Sequence, residues 1–463
     1  MNSKRQIKIA YIGGGSRGWA WGLMSDLVEC EDLCGNVDLF DIDFDAAKNN
    51  EIIGNKYNKT KGAKTHWVYR AVKTIDEAME GADFVVISIL PGTFDEMESD
   101  VHAPEKYGIY QTVGDTTGPG GIVRALRTVP MIEEIAKAVE KNCPDAWVIN
   151  YTNPMTICIK ALYDTFPNIK AFGCCHEVFS TQRFLSSVLK EMKGIEVANR
   201  SEIKANVVGV NHFTWLTSAH WQNIDIFPIY REFCKKYASA GYGDSLDENW
   251  MNRNFQCRQK VKMDLFQRYG VIAAAGDRHL AEFCEGKWYL ENPERVSKMD
   301  FALTSVKWRR INLEERLAKS ARLVSGEEEL SINKTGEEGV EQIRALCGLR
   351  DMVTNVNMPN VGQIPNLPLG AVVETNAAFR SDTVVPLMAG SIPDSVYPLI
   401  SRACGEQEMV ARACRERNLE LAFNAFANNS LVTVSLSDAR QLFKEMINST
   451  SKYLDMYDIK SFK

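Results

Sequence analysis

Up to residue 210, short apolar runs alternate with segments whose apolar positions recur at helical spacing. Residues 7–12 form a compact apolar run ending in glycines, and residues 19–28 follow with Ala20, Leu23 and Leu27 on one helical face. Runs at 37–40, 66–72, 83–90, 147–149, 169–172 and 207–210 read as further strands. Residues 129–139 and the Leu185, Leu189, Met192 stripe read as helices. The run at 83–90 (DFVVISIL) is apolar at nearly every position, as in a strand covered on both faces. Strands separated by helices predict right-handed βαβ units and a parallel sheet. The expected class is therefore α/β, a doubly wound Rossmann-type sheet.

Beyond residue 213 the strands are less regular and the helices longer and more charged, as at 313–323. Residues 354–376 are rich in Asn, Pro and Gly and predict an extended connector. The pattern divides the chain into a doubly wound domain at 1–200 and an α+β domain at 201–463, the latter for catalysis, substrate and oligomerisation. No internal repeat is present.

Composition narrows the class. The chain has 463 residues, 45% hydrophobic and 25% charged, which excludes a disordered chain or a rod. A net charge of -6 is a poor match for a phosphate backbone, so no nucleic-acid partner is expected. No window approaches the length of a membrane span, and the apolar stretch after Lys8 is too short for a secretion signal. The twelve cysteines are scattered without a CxxC and read as reduced thiols in a cytoplasmic protein.

Chemistry enters at the strand ends. Gly13, Gly15 and Gly18 satisfy G-x-G-x-x-G within GGGSRG, between a predicted strand and a predicted helix. That context marks a dinucleotide loop, Gly13 to Gly15, Ser16 and Gly18, with the pyrophosphate on the helix N-terminus. Asp41 ends the second strand, where a carboxylate accepts from both ribose hydroxyls and repels a 2′-phosphate, so NAD is expected. Four more polar clusters follow predicted strands: Leu90-Pro91-Gly92, Asn150 to Pro154 (NYTNP), Gly173 to Glu177 (GCCHE) and Asn211-His212. In a doubly wound sheet they converge on one crevice beside the dinucleotide.

The sheet pattern and NYTNP resemble lactate and malate dehydrogenases in the cofactor half. Asn153-Pro154 is followed by Met155-Thr156 rather than Val-Asp, so the likeness ends at the chemistry. Cys175, at a helix start where the dipole favours thiolate, and His212 form a two-ligand site for a divalent metal; a buried thiol and a hydrogen-bonded core histidine fit the same spacing. Asp277 in AAAGDRHLAEF suits a base and Arg278 an anion binder, while a helix N-cap with a surface charge fits equally.

GGGSRG, GDTTGPGGIVRALRTVP (114–130), NYTNPM, GCCHEVF, GVNHFTW and GDRHLAEF together resemble glycoside hydrolase family 4 over nearly the whole chain. CHEV at 175–178 is similar to the α-galacturonidase branch. The resemblance implies that Cys175 and His212 hold Mn²⁺, that Asn153 binds sugar hydroxyls, that Asp277 is a base and His176 an acid, and that the assembly is a dimer or tetramer. The family's C-terminal Val-Glu-Val-Pro stands here as Val373-Glu374-Thr375-Asn376. Members are NAD-dependent exceptions to two-carboxylate hydrolysis. The implied route is redox-elimination-addition: hydride leaves C3, a proton leaves C2, the group at C1 departs, and water and hydride return. The implied activity is release of terminal α-linked galacturonate from short oligogalacturonides, with Arg124, Arg127 or Arg278 taking the carboxylate. An α-galactosidase or α-glucosidase of the same family, an NAD-dependent hydroxy-acid dehydrogenase and an NAD-binding sensor without turnover are the alternatives.

Overall fold

The computed structural model describes residues 4–244, 255–460 and 462. Six strands carry the first half: β1 (Arg5–Ile12), β2 (Leu33–Phe40), β3 (Trp67–Val72), β4 (Phe84–Ile87), β5 (Trp147–Asn150) and β6 (Lys170–Gly173). They run parallel in the order β6-β5-β4-β1-β2-β3, the expected doubly wound arrangement. Successive residues feed opposite faces, as pleating requires. Ala10, Ile12, Val85 and Ile87 enter one core, and Ile9, Tyr11, Phe84 and Val86 enter the other.

The strands finish in line. Ile12 pairs with both Phe40 and Ile87, Ile87 with Asn150, and Asn150 with Gly173. Everything that follows these residues therefore emerges along one rim of the sheet.

Three expectations change. Residues 207–210 do not close the parallel series. They end β7 (Ile203–Val210), which pairs antiparallel with β8 (Phe213–Trp221) in a second sheet completed by β9 (Ile224–Asp225) and β10 (Ile272–Ala273). The cause is the two-residue turn Asn211-His212, which can join only antiparallel strands, since a parallel neighbour needs a long crossover. Residues 354–376 are not a connector but most of a hairpin, β11 (Met352–Pro359) and β12 (Val372–Arg380), extended by β13 (Thr383–Pro386). This hairpin adds antiparallel to β6 and lengthens the main sheet to nine strands. The asparagines that read as turn formers are buried and bonded: Asn355 Nδ2 donates to Glu374 Oε1 at 2.7 Å and Asn360 Nδ2 to the Ile364 carbonyl at 2.9 Å. The helix placed at 129–139 runs over Gly118–Asn142 with Pro130 inside it. Its Gly-Pro-Gly-Gly start packs so closely that a Cβ at Gly120 would lie 2.6 Å from the Gly114 carbonyl oxygen. Tertiary packing overrides the local breakers here.

Arg127, on that helix, is not free for a substrate. Its Nη1 donates to Asp100 Oδ1 at 3.1 Å, its Nη2 donates to Asp100 Oδ2, and its Nε donates to the Pro91 carbonyl at 2.9 Å. Both residues of the pair are buried. Arg127→Met would strand the Asp100 carboxylate in the core, and a loss of about 3–5 kcal/mol in urea unfolding at pH 7 is expected; an unchanged midpoint would contradict the structural assignment.

Glu406, on the helix Tyr397–Arg415, accepts from Asn429 Nδ2 at 2.6 Å and from Thr117 Oγ1 at 3.1 Å. Burial raises its pKa to about 7, against the pull of these two donors. The native state thus holds this proton more tightly than the unfolded chain does. Its stabilising contribution is complete below the ordinary glutamate pKa and is lost as pH rises through 7. Glu406→Gln, which copies the protonated form, is expected to flatten the fall in thermal midpoint between pH 5 and 8 relative to the parent chain.

Candidate functional site

The glycine loop leaves β1 at the rim. Gly13 and Gly14 donate their amides to the Phe40 carbonyl, each at 2.9 Å. Gly13 has φ +93°, and a Cβ there would sit 2.1 Å from the Ser88 carbonyl oxygen, so no other residue fits. Asn50 Nδ2 holds the loop through the carbonyls of Gly14 (2.7 Å) and Ser16 (3.0 Å). Asp41, just past β2, accepts from Gly15 N at 2.8 Å and Asp43 N at 2.9 Å, and burial raises its pKa. The helix Trp19–Glu29 starts at Gly18 with no capping side chain and no acid in its first turn. An uncapped, acid-free helix start behind a glycine cradle is the local arrangement that suits a pyrophosphate.

Further along the rim, β5 presents Asn153. Its Nδ2 donates to Asp115 Oδ2 at 3.3 Å, and its carbonyl accepts from Arg124 Nε at 3.1 Å. Its buried Oδ1 has no partner among the described residues. Asp115 stands with His212 and His279, and one ligand atom from each lies within 4.8 Å of the others. His212 occupies the β7–β8 turn at φ +62°, a left-handed conformation that His adopts more readily than most residues. Its ring stacks on that of His279 with centroids 3.8 Å apart.

The hydrogen-bond inventory fixes the tautomer. Thr116 Oγ1 has one hydrogen, which it gives to Asp115 Oδ1 at 2.7 Å. At its 2.9 Å contact with His212 Nδ1 it must then accept. His212 therefore carries its proton on Nδ1 and presents the lone pair of Nε2. Burial and the neighbouring His279 hold His212 well below the usual histidine range, and burial brings His279 down to about 4. Burial works against ionisation of Asp115, but Arg124, the two histidines and the Thr116 hydroxyl together outweigh it and keep the carboxylate ionised. Two neutral imidazoles and a carboxylate are a fitting donor set for a divalent cation. The buried Nδ1 of His279, without a partner among the described residues, is a further sign of an absent ligand.

The helix Asp277–Phe283 assembles this group. It carries His279, and Glu282 accepts from Val113 N at 2.7 Å and Gly114 N at 3.0 Å. Arg278 Nη2 donates to Thr304 Oγ1 at 2.6 Å and to the Thr112 carbonyl. These bonds hold the segment bearing Asp115 against His279. Glu177 anchors the helix start by accepting from Gly276 N at 2.6 Å, and its other oxygen lies 3.6 Å from His279 Nε2.

Cys175, expected to share the metal with His212, is not one of the three grouped donors. Its thiol lies against Asn211, the residue before His212, and Asn355 Nδ2 donates to its carbonyl at 3.3 Å. It is a thiol rather than the thiolate expected from the helix dipole, because burial and the nearby Glu374 and Glu177 raise its pKa well above the usual value. Asp277 turns its carboxylate to the start of the helix Lys260–Tyr269, accepting from Lys262 N at 3.0 Å and Val261 N at 3.2 Å. Burial brings its pKa to about 6. His176 is half-buried next to Trp19, with Nδ1 3.3 Å from Glu337 Oε1. Sequence reasoning passed over Asp115 and His279 as ligands. Each sits within a quoted motif, but donors from three distant stretches leave no spacing signature.

With this geometry in view, the rim of a doubly wound sheet carries a glycine loop that suits a pyrophosphate and a donor set that suits a divalent cation. The chain belongs to glycoside hydrolase family 4: a family model described as Family 4 glycosyl hydrolase matches residues 8–191, and its C-terminal domain matches 207–432. It is 58% identical over 455 residues to an α-galacturonidase of Thermoanaerobacterium saccharolyticum, covering 98% of each chain. A solved Bacillus subtilis structure described as a glucosidase is 50% identical, with a TM-score of 0.90 over 95% of this chain and 99% of that one. The 6-phospho-β-glucosidase of Thermotoga maritima, solved with manganese, NAD⁺ and glucose-6-phosphate, shares the fold at 21% identity and a TM-score of 0.75, over 96% of this chain and 99% of that one.

Thr116→Val deletes the acceptor that orients His212. A Mn²⁺ affinity about 10–100-fold weaker is expected in a titration followed by electron paramagnetic resonance; equal affinity would mean that the hydroxyl does not orient the ring.

Proposed function

We propose that this chain is an α-galacturonidase, releasing terminal α-linked galacturonate from short oligogalacturonides with the help of bound NAD and a divalent metal such as Mn²⁺. One observation carries the reading: the glycine cradle follows β1 and Asn153, which bonds Asp115 of the Asp115, His212, His279 group, follows β5 on the same rim of the sheet. The substrate follows from the similarity to α-galacturonidases over almost the full chain. When bound, the nicotinamide supplies a reversible hydride acceptor and the metal a Lewis acid.

The protein's own part is positioning and proton transfer. The loop at Gly13 to Gly15, Ser16 and Gly18, with Asp41, would hold the dinucleotide. Asp115, His212 and His279, with Cys175 beside them, would hold the metal. Asn153 has a free acceptor, Oδ1, for a sugar hydroxyl. Asp277 takes up the C2 proton at its carboxylate, and a pKa of about 6 keeps it ionised yet basic near neutrality. His176, whose contact with Glu337 favours its protonated form, gives a proton to the leaving oxygen. Twelve unpaired cysteines suit a cytoplasmic enzyme, and among the described residues no helix is long and apolar enough to cross a membrane. Assembly as a homo-oligomer belongs to the same proposal.

The test is product analysis with di-galacturonate, with NAD and Mn²⁺ each omitted in turn. Galacturonate should appear only when both are supplied, and deuterium at C2 or C3 should slow turnover. Full activity without NAD would refute the mechanism. Hydrolysis of a nitrophenyl galactoside or glucoside in place of the galacturonide would move the chain to another branch of the family, as the glucosidase description of the 50% identical structure suggests. Cys175→Ser should lower Mn²⁺ affinity and activity while the circular dichroism stays unchanged.

A further inference from the structure

Three guanidiniums, those of Arg124, Arg278 and Arg309, feel the Asp115 carboxylate, and their bonding sets them apart. Arg124 spends its Nε on the Asn153 carbonyl. Arg278 spends one Nη on Thr112 and Thr304. Arg309, on the helix Val306–Ser325, is different. Among the described residues its side chain makes no hydrogen bond and no ion pair, and its solvent-shielded Nε meets no acceptor. Aromatic faces alone hold it: the Phe255 ring centroid is 5.3 Å from its guanidinium carbon and that of Trp308 is 5.2 Å away. Arg278 lies 5.3 Å from the same Phe255 ring, so two cations share it. Arg278 is next in sequence to His279, which places this pair beside the metal donor set.

A half-buried guanidinium without an acceptor among the described residues carries a desolvation cost that the acids near it do not offset. Asp115 attracts Arg124 and Arg309, and Arg278 more weakly, and one carboxylate cannot neutralise three cations. Glu282, the other acid near Arg278, is bonded to the amides of Val113 and Gly114. The site thus holds more cations than anions, with room for an anion from outside. A planar fork held by stacking matches a carboxylate bidentately, as an ammonium cannot.

We propose that Arg309, backed by Arg278, binds the carboxylate of the sugar ring seated at the metal donor set, and so selects a uronate over a neutral hexose. This rests on the α-galacturonidase reading and names the residue responsible for its specificity.

The experiment uses the NAD- and Mn²⁺-loaded enzyme. Nitrophenyl α-galacturonide hydrolysis is measured with galacturonate and galactose as competing inhibitors, for the parent chain, Arg309→Gln and Arg309→Lys. Arg309→Gln should raise KM and the galacturonate inhibition constant about 10–100-fold. The galactose constant, kcat and Mn²⁺ affinity should stay within twofold. Arg309→Lys, which keeps the charge and loses the fork, should fall between, and it carries the test should the Gln variant not fold. Galacturonate constants within twofold of the parent in these variants would overturn the proposal, as would an equal loss of galacturonate and galactose. A parent enzyme that binds galacturonate no better than galactose would instead refute the α-galacturonidase reading itself.

Discussion

The structure turns on one constraint. Three side chains that suit a divalent cation, from distant parts of the chain, must meet with their charges and tautomers already set. The helix Asp277–Phe283 meets it with few bonds. Glu282 and Arg278 grip the segment Thr112 to Gly114 from one side, and Glu177 holds the helix start from the other. Asp115 and His279 then face His212 without further adjustment. Glu282 and Arg278 are buried, Glu177 is half-buried, and all three are bonded, so little rearrangement is left for the moment of binding. That is the condition under which electrostatic stabilisation is strongest.

The first half of the fold was readable because period and context agreed. An apolar run, a glycine turn and a helical stripe succeed one another from residue 7 to residue 28, and the structure follows them almost residue for residue. The second half was not readable for physical reasons. Asn355, Asn357 and Asn360 carry turn-forming side chains, yet here they lie inside strands and their flanks, where buried acceptors take their amides. Residues 207–210 look like any buried strand, and only the tightness of the turn after them shows that the partner is antiparallel. The site divides in the same way. The glycine cradle has a local signature, whereas Asp115 and His279 become neighbours of His212 solely through tertiary contacts. Arg309 could not be singled out either, since it is an unremarkable position on a charged helix until its lack of partners is seen.

Burial does much of the chemical tuning. The same low-dielectric surroundings keep His212 and His279 neutral, lift Asp277 towards neutrality and hold Cys175 as a thiol. A bound cation reverses part of this logic, because a coordinating thiol gives up its proton. Cys175 therefore costs little while the protein stands alone, and its position beside Asn211 leaves it next to the ring that a metal would share.

The departure from the family's Val-Glu-Val-Pro has a structural meaning. Glu374 keeps its place on β12, and its two oxygens take Asn355 Nδ2 at 2.7 Å and Asn211 Nδ2 at 3.3 Å. It thereby joins the extended sheet to the turn that carries His212. Asn376 stands at the proline of the Val-Glu-Val-Pro motif that this stretch resembles, and its side chain offers a donor that proline lacks. Its side-chain amide donates to the Ala205 carbonyl on β7 at 2.7 Å, while its carbonyl accepts from Leu387 N at 2.8 Å. β12 is thus fastened to β7 at two points, by Glu374 through Asn211 near the metal donors and by Asn376 farther along the strand. A proline at 376 could offer a rigid backbone but no cross-sheet donor, so in this chain the substitution exchanges local stiffness for a bond between the two sheets whose relative placement sets His212 against Asp115.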